Sequence, residues 1–438
     1  MNKSDSERFR TIIEGMGYKW TDDEREADLL GVLACSVRQK SIDKVFSRIY
    51  KWNKWKNNRN IITFLSGCIL KADEERFLKL FDIVFNISDL QHLPDMINHY
   101  GIVTPANRLE YRKEEISEFW SISPSYMSSF ESFVPIQNGC DKFCTFCAVP
   151  YTRGREISRP SEEVMEEVKH LVDKGYKSVT LLGQNVNSYG LDKKGDEISF
   201  AGLLKNIGEF GLEADRESGR DFWVYFTSPH PRDMNAEVID TIARYRCLAN
   251  HIHLPLQSGD NELLKKMNRN HTVEQYREII NLARKRIPGV TIFTDIIVGF
   301  AGESEEQFEN TRKIMEELKF NMAYIAQYSP RPGAVSSRWP DNVPAETKKQ
   351  RLHNLTGVLK KYSAASNKDL ISNKIKVLVT GTDRKQGYLS GITEGRIVIR
   401  FRSDDVSLIG SFVYIMITSA AEFAIEGELI HKAKTQPA

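Results

Sequence analysis

Cys140, Cys144 and Cys147 lie within eight residues of one another, in the run Cys140-Asp-Lys-Phe-Cys144-Thr-Phe-Cys147. Three thiolates on one short loop can bind three corners of an iron-sulfur cubane. The fourth iron then lacks a protein ligand and can accept a substrate, in the way catalytic metal sites keep one position open. A structural zinc site would want a fourth ligand close by, and His170 lies far along the next helix. The remaining cysteines, Cys35, Cys68 and Cys247, are scattered. Six cysteines in a large chain without a secretory signal point to metal binding or catalysis rather than to a disulfide framework.

The elements that must position these thiols follow from periodicity. ADLLGVLAC and IITFLSGC read as short strands ending at Cys35 and Cys68. A helical stretch separates them, and a second helix precedes another strand, DIVFNIS. Parallel strands expose their carboxyl ends on one edge, so Cys35 and Cys68 are expected close together. The chain opens inside a helix, from about Ser4 to Gly15, with no strand before it, and the expectation is an α/β unit that has lost its first strand. Residues 104–129 are charged and aperiodic and read as a surface linker. Beyond it come ESFVPIQ, SVTLLG, FWVYFTS, HIHLPL, TIFTDIIVGF and AYIAQYS, most of the gaps helical. Six such β/α units suggest an incomplete parallel barrel, reactive at the carboxyl edge of its strands. The cysteine loop directly follows its first strand. A basic helix near Thr347 to Tyr362 leads to short strands between Lys374 and Ile430, which predict a small antiparallel β-barrel. Between Lys374 and Arg402 there are seven Lys or Arg and two acids, an electrostatic footprint for phosphates.

Composition sets outer bounds. A chain of 438 residues with 41% hydrophobic content suits two or three domains. The 61 basic and 59 acidic side chains nearly cancel, so any nucleic-acid site must come from local charge. No signal peptide or run of about 18 apolar residues is present, which makes the cytoplasm the expected location and excludes a membrane partner.

The cysteine loop resembles that of the radical S-adenosylmethionine (SAM) superfamily, including the aromatic Phe146 before the last cysteine. Together GCDKFCTFCAVPYTRGREISRP, LLGQNVNSYG, HLPLQSGD and DIIVGFAGE are similar to the methylthiotransferase family over nearly the whole chain, Met1 to about Lys432. GQNVNSY, Gly183 to Tyr189, is similar to the family's tRNA branch, called MiaB, and unlike the branch that modifies a ribosomal protein. The resemblance implies 2-methylthiolation of N(6)-isopentenyladenosine at tRNA position 37, beside the anticodon. It implies three domains: a sulfur-donating domain at 1–103, a radical SAM barrel at 130–362 and a TRAM RNA-binding barrel at 366–432. It further implies that Cys140, Cys144 and Cys147 hold the [4Fe-4S] cluster that binds SAM and releases a 5′-deoxyadenosyl radical. Phe146, Gly183, Gln184, Asn185, Ser228, Gln257 and Asp295 are the implied SAM contacts. A second [4Fe-4S] cluster, the sulfur source, would be held by Cys35, Cys68 and a third cysteine. In the family that cysteine lies in a GCQMN phrase just before SDSE; here the sequence begins at its Met-Asn, and we expect a start placed too late in the gene. The form as written would then hold its second cluster poorly. tRNA is the implied partner, with a flavodoxin or ferredoxin as electron donor.

Other features have plainer readings. Ala301 replaces the family's usual proline before Gly-Glu with little consequence. Cys247 reads as a small buried hydrophobe. His251 and His253 alternate along a strand and read as structural. Trp52 and Trp55, among lysines, could stack on RNA, but one aromatic face turned into the domain is favoured. The rival functions are methylthiolation of another tRNA adenosine, such as the threonylcarbamoyl form, or of a ribosomal protein, and a non-catalytic iron-sulfur RNA-binding protein.

Overall fold

The alternation in LLGVLAC sorts its side chains to two faces, because successive strand residues point opposite ways. The computed structural model describes residues 1–35, 39–98 and 116–432. They divide between two compact units, one of Met1–Met127, Asn138–Arg159 and Ser329–Trp339, the other of the remaining residues.

In the first unit, strands β1 (Leu29–Cys35), β2 (Ile62–Cys68) and β3 (Ile83–Val84) form a parallel sheet in that order. Leu30, Val32 and Ala34 face one core, with Ile42, Val45, Ile49 and Trp52 of the helix Gln39–Trp55. Leu29 and Leu33 face the other, with Phe9, Ile12 and Ile13 of the helix Asn2–Gly15. Trp52 is 1% exposed and its indole N–H donates to Glu24 at 3.3 Å, so it packs inward and is no stacking platform. The linker expectation needs correction. Ile116–Ser121 is a helix whose Ile116, Phe119 and Trp120 are buried in the second core; residues 104–115 lie outside the described residues.

In the second unit six strands run parallel: β4 (Glu131–Pro135), β5 (Ser178–Leu182), β6 (Trp223–Phe226), β7 (His251–His253), β8 (Thr291–Val298) and β9 (Met322–Gln327). The bridge Val224↔Leu248 joins the first three to the last three, and no pairing closes β4 onto β9 among the described residues. The helices between them start where the sequence signals it: Ser304 and Gln307 form a capping box, as do Thr272 and Gln275. Gly175, at φ +89, follows the end of the helix Ser161–Asp173 as its stop.

After the helix Ala345–Lys368 the chain forms β10 (Lys374–Thr382), β11 (Tyr388–Thr393), β12 (Val398–Arg402), β13 (Phe412–Ala420) and β14 (Ile425–Lys432), a closed barrel. Its pairings are antiparallel except one, β12 with β14, which is parallel. This barrel shares a core with the six-stranded one: Leu378 and Phe412 pack with Trp223, Tyr225 and Ala249. The Phe412 and Trp223 rings meet edge-on, centroids 4.6 Å apart. Phe412→Ala should therefore lower the unfolding free energy of this unit by about 3–5 kcal/mol, read by denaturant titration. No helix among the described residues is long and apolar enough to cross a membrane.

Candidate active site

A glycine in left-handed backbone precedes two of the cysteines. Gly139 has φ +79, and a Cβ there would lie 1.9 Å from the Arg155 carbonyl oxygen. Gly67 has φ +97, and a Cβ there would lie 2.6 Å from the Ala34 carbonyl oxygen. Only glycine fits both the conformation and the space. Each cysteine thus begins at a turn that brings backbone close to backbone. Sequence reading passed over this signal, which is visible as SGC and NGC.

From Gly139 the loop is braced at both ends. Asp141 takes two hydrogen bonds from the Arg155 guanidinium, at 2.7 and 3.0 Å, and one from the Glu156 amide. Cys140 is buried, and burial pushes its thiol up to about 11. Cys144, Phe146 and Cys147 are half-buried, and the Cys147 amide donates to the Cys144 carbonyl at 2.9 Å. The Thr145 carbonyl accepts from the Ser336 amide. Among the described residues no three His, Cys, Asp or Glu converge around a single metal ion. A cubane presents its irons at separate corners, so its ligands need not converge in that way. Three soft sulfur donors on one glycine-turned loop fit it.

The register Cys35↔Cys68 across β1 and β2 puts those two backbones side by side at the carboxyl edge of the sheet. Cys68 is 7% exposed. Its sulfur accepts a hydrogen bond at 2.9 Å from Nε of Arg153, whose Nη2 bonds the Asp5 carboxylate at 2.7 Å. Neither Arg153 nor Asp5 was singled out from sequence, because nothing local marks a contact across 85 residues.

Apart from Phe146, which sits on the cysteine loop, and Asp295, which lies inside β8 and not at its end, the expected SAM contacts follow the carboxyl ends of the second unit's strands. Gly183 leaves β5 where a Cβ would press on Gln137 Oε1 at 3.0 Å. Gln137 accepts from the Asn185 amide and donates to Ser188 Oγ at 2.9 Å. Asn185 Nδ2 donates to Asp233 at 2.9 Å, while Asn185 Oδ1 and Gln184 Oε1 are buried with no hydrogen-bond partner. Two orphaned acceptors at one strand end suit a donor such as an ammonium group, since buried oxygens otherwise stay costly. Ser228 and Gln257 hold φ of +58 and +74, strain that clusters at functional edges. Asp295 does more than sequence suggested: its carboxylate is 2.8 Å from Nε2 of His253, which lies against Tyr324. His251, by contrast, is buried against Thr291 Oγ1, and burial drives its pKa well below the usual value. Cys247 is buried with its thiol pushed to about 12 by burial, as a small hydrophobe.

The basic surplus of the last barrel is divided. Lys376 pairs with Asp221, and Arg396 lies 4.0 Å over the Tyr225 ring and donates to Thr180. Arg400 and Lys385 share Glu426. Arg384 and Arg402 are exposed, with no acidic partner among the described residues.

An incomplete parallel barrel with a three-cysteine loop after its first strand defines a radical SAM enzyme, and residues 134–315 match the family model described as the radical SAM superfamily. Residues 1–87 match that of an uncharacterized protein family, UPF0004. The chain is 38% identical to a tRNA-2-methylthio-N(6)-dimethylallyladenosine synthase of Oceanobacillus iheyensis, the match covering 98% of this chain and 82% of that one. It is 36% identical to the like-named protein of Chromohalobacter salexigens, over 99% and 97% of the two chains. The chain belongs to the tRNA-2-methylthio-N(6)-dimethylallyladenosine synthase family of methylthiotransferases. Among solved structures, the radical SAM methyltransferase TsrM of Kitasatospora setae, with cobalamin and a [4Fe-4S] cluster bound, shares the fold. Its TM-score is 0.54 at 15% identity, over 93% of this chain and 80% of that one.

Proposed function

We propose that this enzyme adds a methylthio group to carbon 2 of N(6)-isopentenyladenosine at position 37 of tRNA. The observation that carries the reading is the placing, within one compact unit, of the Cys140–Cys147 loop and the Cys35/Cys68 sheet edge. Cys140, Cys144 and Cys147 would hold the SAM-binding [4Fe-4S] cluster, and Cys35 and Cys68 would be ligands of the second. When bound, the two clusters supply the electron that cleaves SAM and the sulfur that is transferred. Gln184 Oε1 and Asn185 Oδ1 would accept hydrogen bonds from the SAM amino group. The Asn185–Asp233 and Gln137–Ser188 contacts hold that strand end still. Gly183, Ser228 and Gln257 are further proposed SAM contacts, as is Asp295, held by its bond to His253, and Phe146 on the cysteine loop is proposed as another. The domain boundaries at 103, 130, 362 and 366 and the TRAM assignment belong to the same proposal. So do a flavodoxin- or ferredoxin-type electron donor and action in the cytoplasm.

Nucleoside analysis tests the whole. Purified enzyme, SAM, reductant and tRNA carrying isopentenyladenosine should give 2-methylthio-N(6)-isopentenyladenosine. Product only on threonylcarbamoyladenosine, or none on tRNA and some on a ribosomal protein, would replace this substrate.

Phosphate binding should come from the exposed cations of the last barrel, Arg384 and Arg402 first. Arg384→Glu with Arg402→Glu should weaken tRNA binding at fixed salt. The slope of log affinity against log salt should flatten by about 0.7–0.9 for each phosphate that is no longer neutralised. Fluorescence anisotropy at several salt concentrations reads both. An unchanged slope places the phosphate-binding cations elsewhere.

A further inference from the structure

We propose that His253 and Tyr324, on the inner face of the six-stranded barrel, receive the target adenine: Tyr324 stacks on the base and His253 Nδ1 accepts a hydrogen bond from its N6–H. The inference rests on the reading of the substrate as a tRNA adenosine with a single N6 substituent.

Alternation along β7, β8 and β9 separates two faces. Ile252, Ile292, Thr294, Ile296 and Ala323 are buried on one, where Tyr276 of the helix Val273–Arg286 donates to the Leu254 carbonyl at 2.8 Å. Helices cover that side, so His253, Phe293, Asp295 and Tyr324 turn to the interior. The register sets Phe293 beside His253 and Asp295 beside Tyr324. At its amino end the interior is filled. Tyr225, His251 and Phe293 are buried there, with ring centroids 6.2 and 4.5 Å apart in succession, and Arg396 lies 4.0 Å over Tyr225. One layer further along the filling stops. The His253 and Asp295 side chains are 27% and 32% exposed, and Tyr324 is 49% exposed. Asp295 lies three residues before the end of β8, so this floor sits roughly 10 Å below the strand end.

An open aromatic floor with a few placed polar groups is the ordinary make-up of a ligand site. Tyr324 offers a π-face, which any base can cover, and its ring centroid is 5.4 Å from that of His253. His253 Nε2 is 2.8 Å from Asp295 Oδ2. A carboxylate only accepts, so Nε2 donates, and Nδ1 of the neutral ring is left as an acceptor. Among the described residues no hydrogen bond to Nδ1 is formed. An adenine with one N6 substituent has one N6–H to give. Held by it, the base keeps C2, the carbon to be modified, unblocked. Both histidines read as structural from sequence; His251 is packed into the filled layer, whereas His253 opens onto the cavity. SAM also carries an adenine, and the experiment separates the two sources.

The test is equilibrium binding of labelled anticodon stem-loops to the full chain, read by fluorescence anisotropy. Position 37 carries isopentenyladenosine, its N6-methyl derivative without an N6–H, or no base. SAM binding is measured by equilibrium dialysis on the same preparations, loaded anaerobically with iron and sulfide, and melting curves are recorded alongside. The parent should favour isopentenyladenosine over both other loops. Tyr324→Ala should reduce the preference over the abasic loop about 5- to 140-fold, the worth of one base–aromatic stack, and Tyr324→Phe should keep it. The SAM affinity of Tyr324→Ala should match the parent's. His253→Phe should bind isopentenyladenosine and its N6-methyl derivative alike, because no acceptor is left to go unpaired.

A base preference that survives Tyr324→Ala overturns the proposal, and if SAM affinity falls instead, the floor holds the adenine of SAM. Continued rejection of the N6-methyl base by His253→Phe overturns it as well. Should Tyr324→Ala fail to fold, the N6-methyl comparison in His253→Phe decides alone. Failure of the underlying substrate reading looks different: the parent itself would then bind the isopentenyladenosine and abasic loops alike.

Discussion

Cys144→Ala, reconstituted anaerobically, is expected to lose 5′-deoxyadenosine formation altogether. Cys144 is the middle thiol of a loop whose first member is set by the left-handed Gly139 and whose third is tied back by the Cys147–Cys144 backbone bond. Losing an outer partner of a metal ligand typically costs about 10–100-fold in affinity or activity, so losing a ligand outright should exceed that. The remaining two thiolates cannot hold three corners of a cubane. Cys140→Ala and Cys147→Ala should behave alike, because the three act as one unit and single losses from such a unit do not add. Asp141→Ala offers a graded control. It breaks a partly exposed pair with Arg155 that braces the loop, and its effect should be far smaller. Chromatographic assay of 5′-deoxyadenosine with reductant and SAM, without tRNA, reads the outcome. Parent-level cleavage by Cys144→Ala would sink the assignment of the loop.

The second large effect separates the two halves of the chemistry. Cys68→Ala should leave SAM cleavage in place, with the about four irons of one cubane retained, and lose any methylthio product together with any iron bound beyond those four. Cys68 and Cys35 are paired in register at the sheet edge, so replacing either should disturb the same proposed site. Ligation also supplies folding energy, so the first unit of Cys68→Ala should melt earlier than that of the loaded parent. Iron analysis, methylthioadenosine yield and a melting curve on the same preparation form the comparison. Unchanged product with unchanged iron would show that Cys68 is no ligand. Lost product with unchanged iron would place its role in positioning rather than ligation.

Much of this was legible in the linear chain, for a physical reason: the decisive patterns are local. The spacing of Cys140, Cys144 and Cys147 is a property of one loop, and the strands are marked by short-range patterns, apolar runs in the six-stranded barrel and alternation in the last one. Capping boxes at Ser304 and Thr272 each join a residue to one three positions on. Parallel pairing even anticipated that Cys35 and Cys68 would meet, since strand ends share an edge once the strand order is right. Resemblance in the GQNVNSY phrase added the substrate class, which no propensity argument could reach.

What the chain could not disclose alone is how segments distant in sequence meet. Residues 116–121 carry charge and serine and read as linker, yet Phe119 and Trp120 find an apolar face to cover. The seven cations near the carboxyl terminus looked like one RNA-facing patch. Tertiary packing turned Lys376 and Arg396 onto the six-stranded barrel, because a guanidinium or ammonium gains more over a buried ring or beside a carboxylate than an isolated count can register. Asp295 was read as a SAM contact, and only the register of β7 against β8 put His253 beside it. Arg153 reaches Cys68 from 85 residues away. Local spacing determines which atoms can do chemistry here. The fold decides which of them are held, screened or charged by a neighbour, because those energies depend on distance through space and not along the chain.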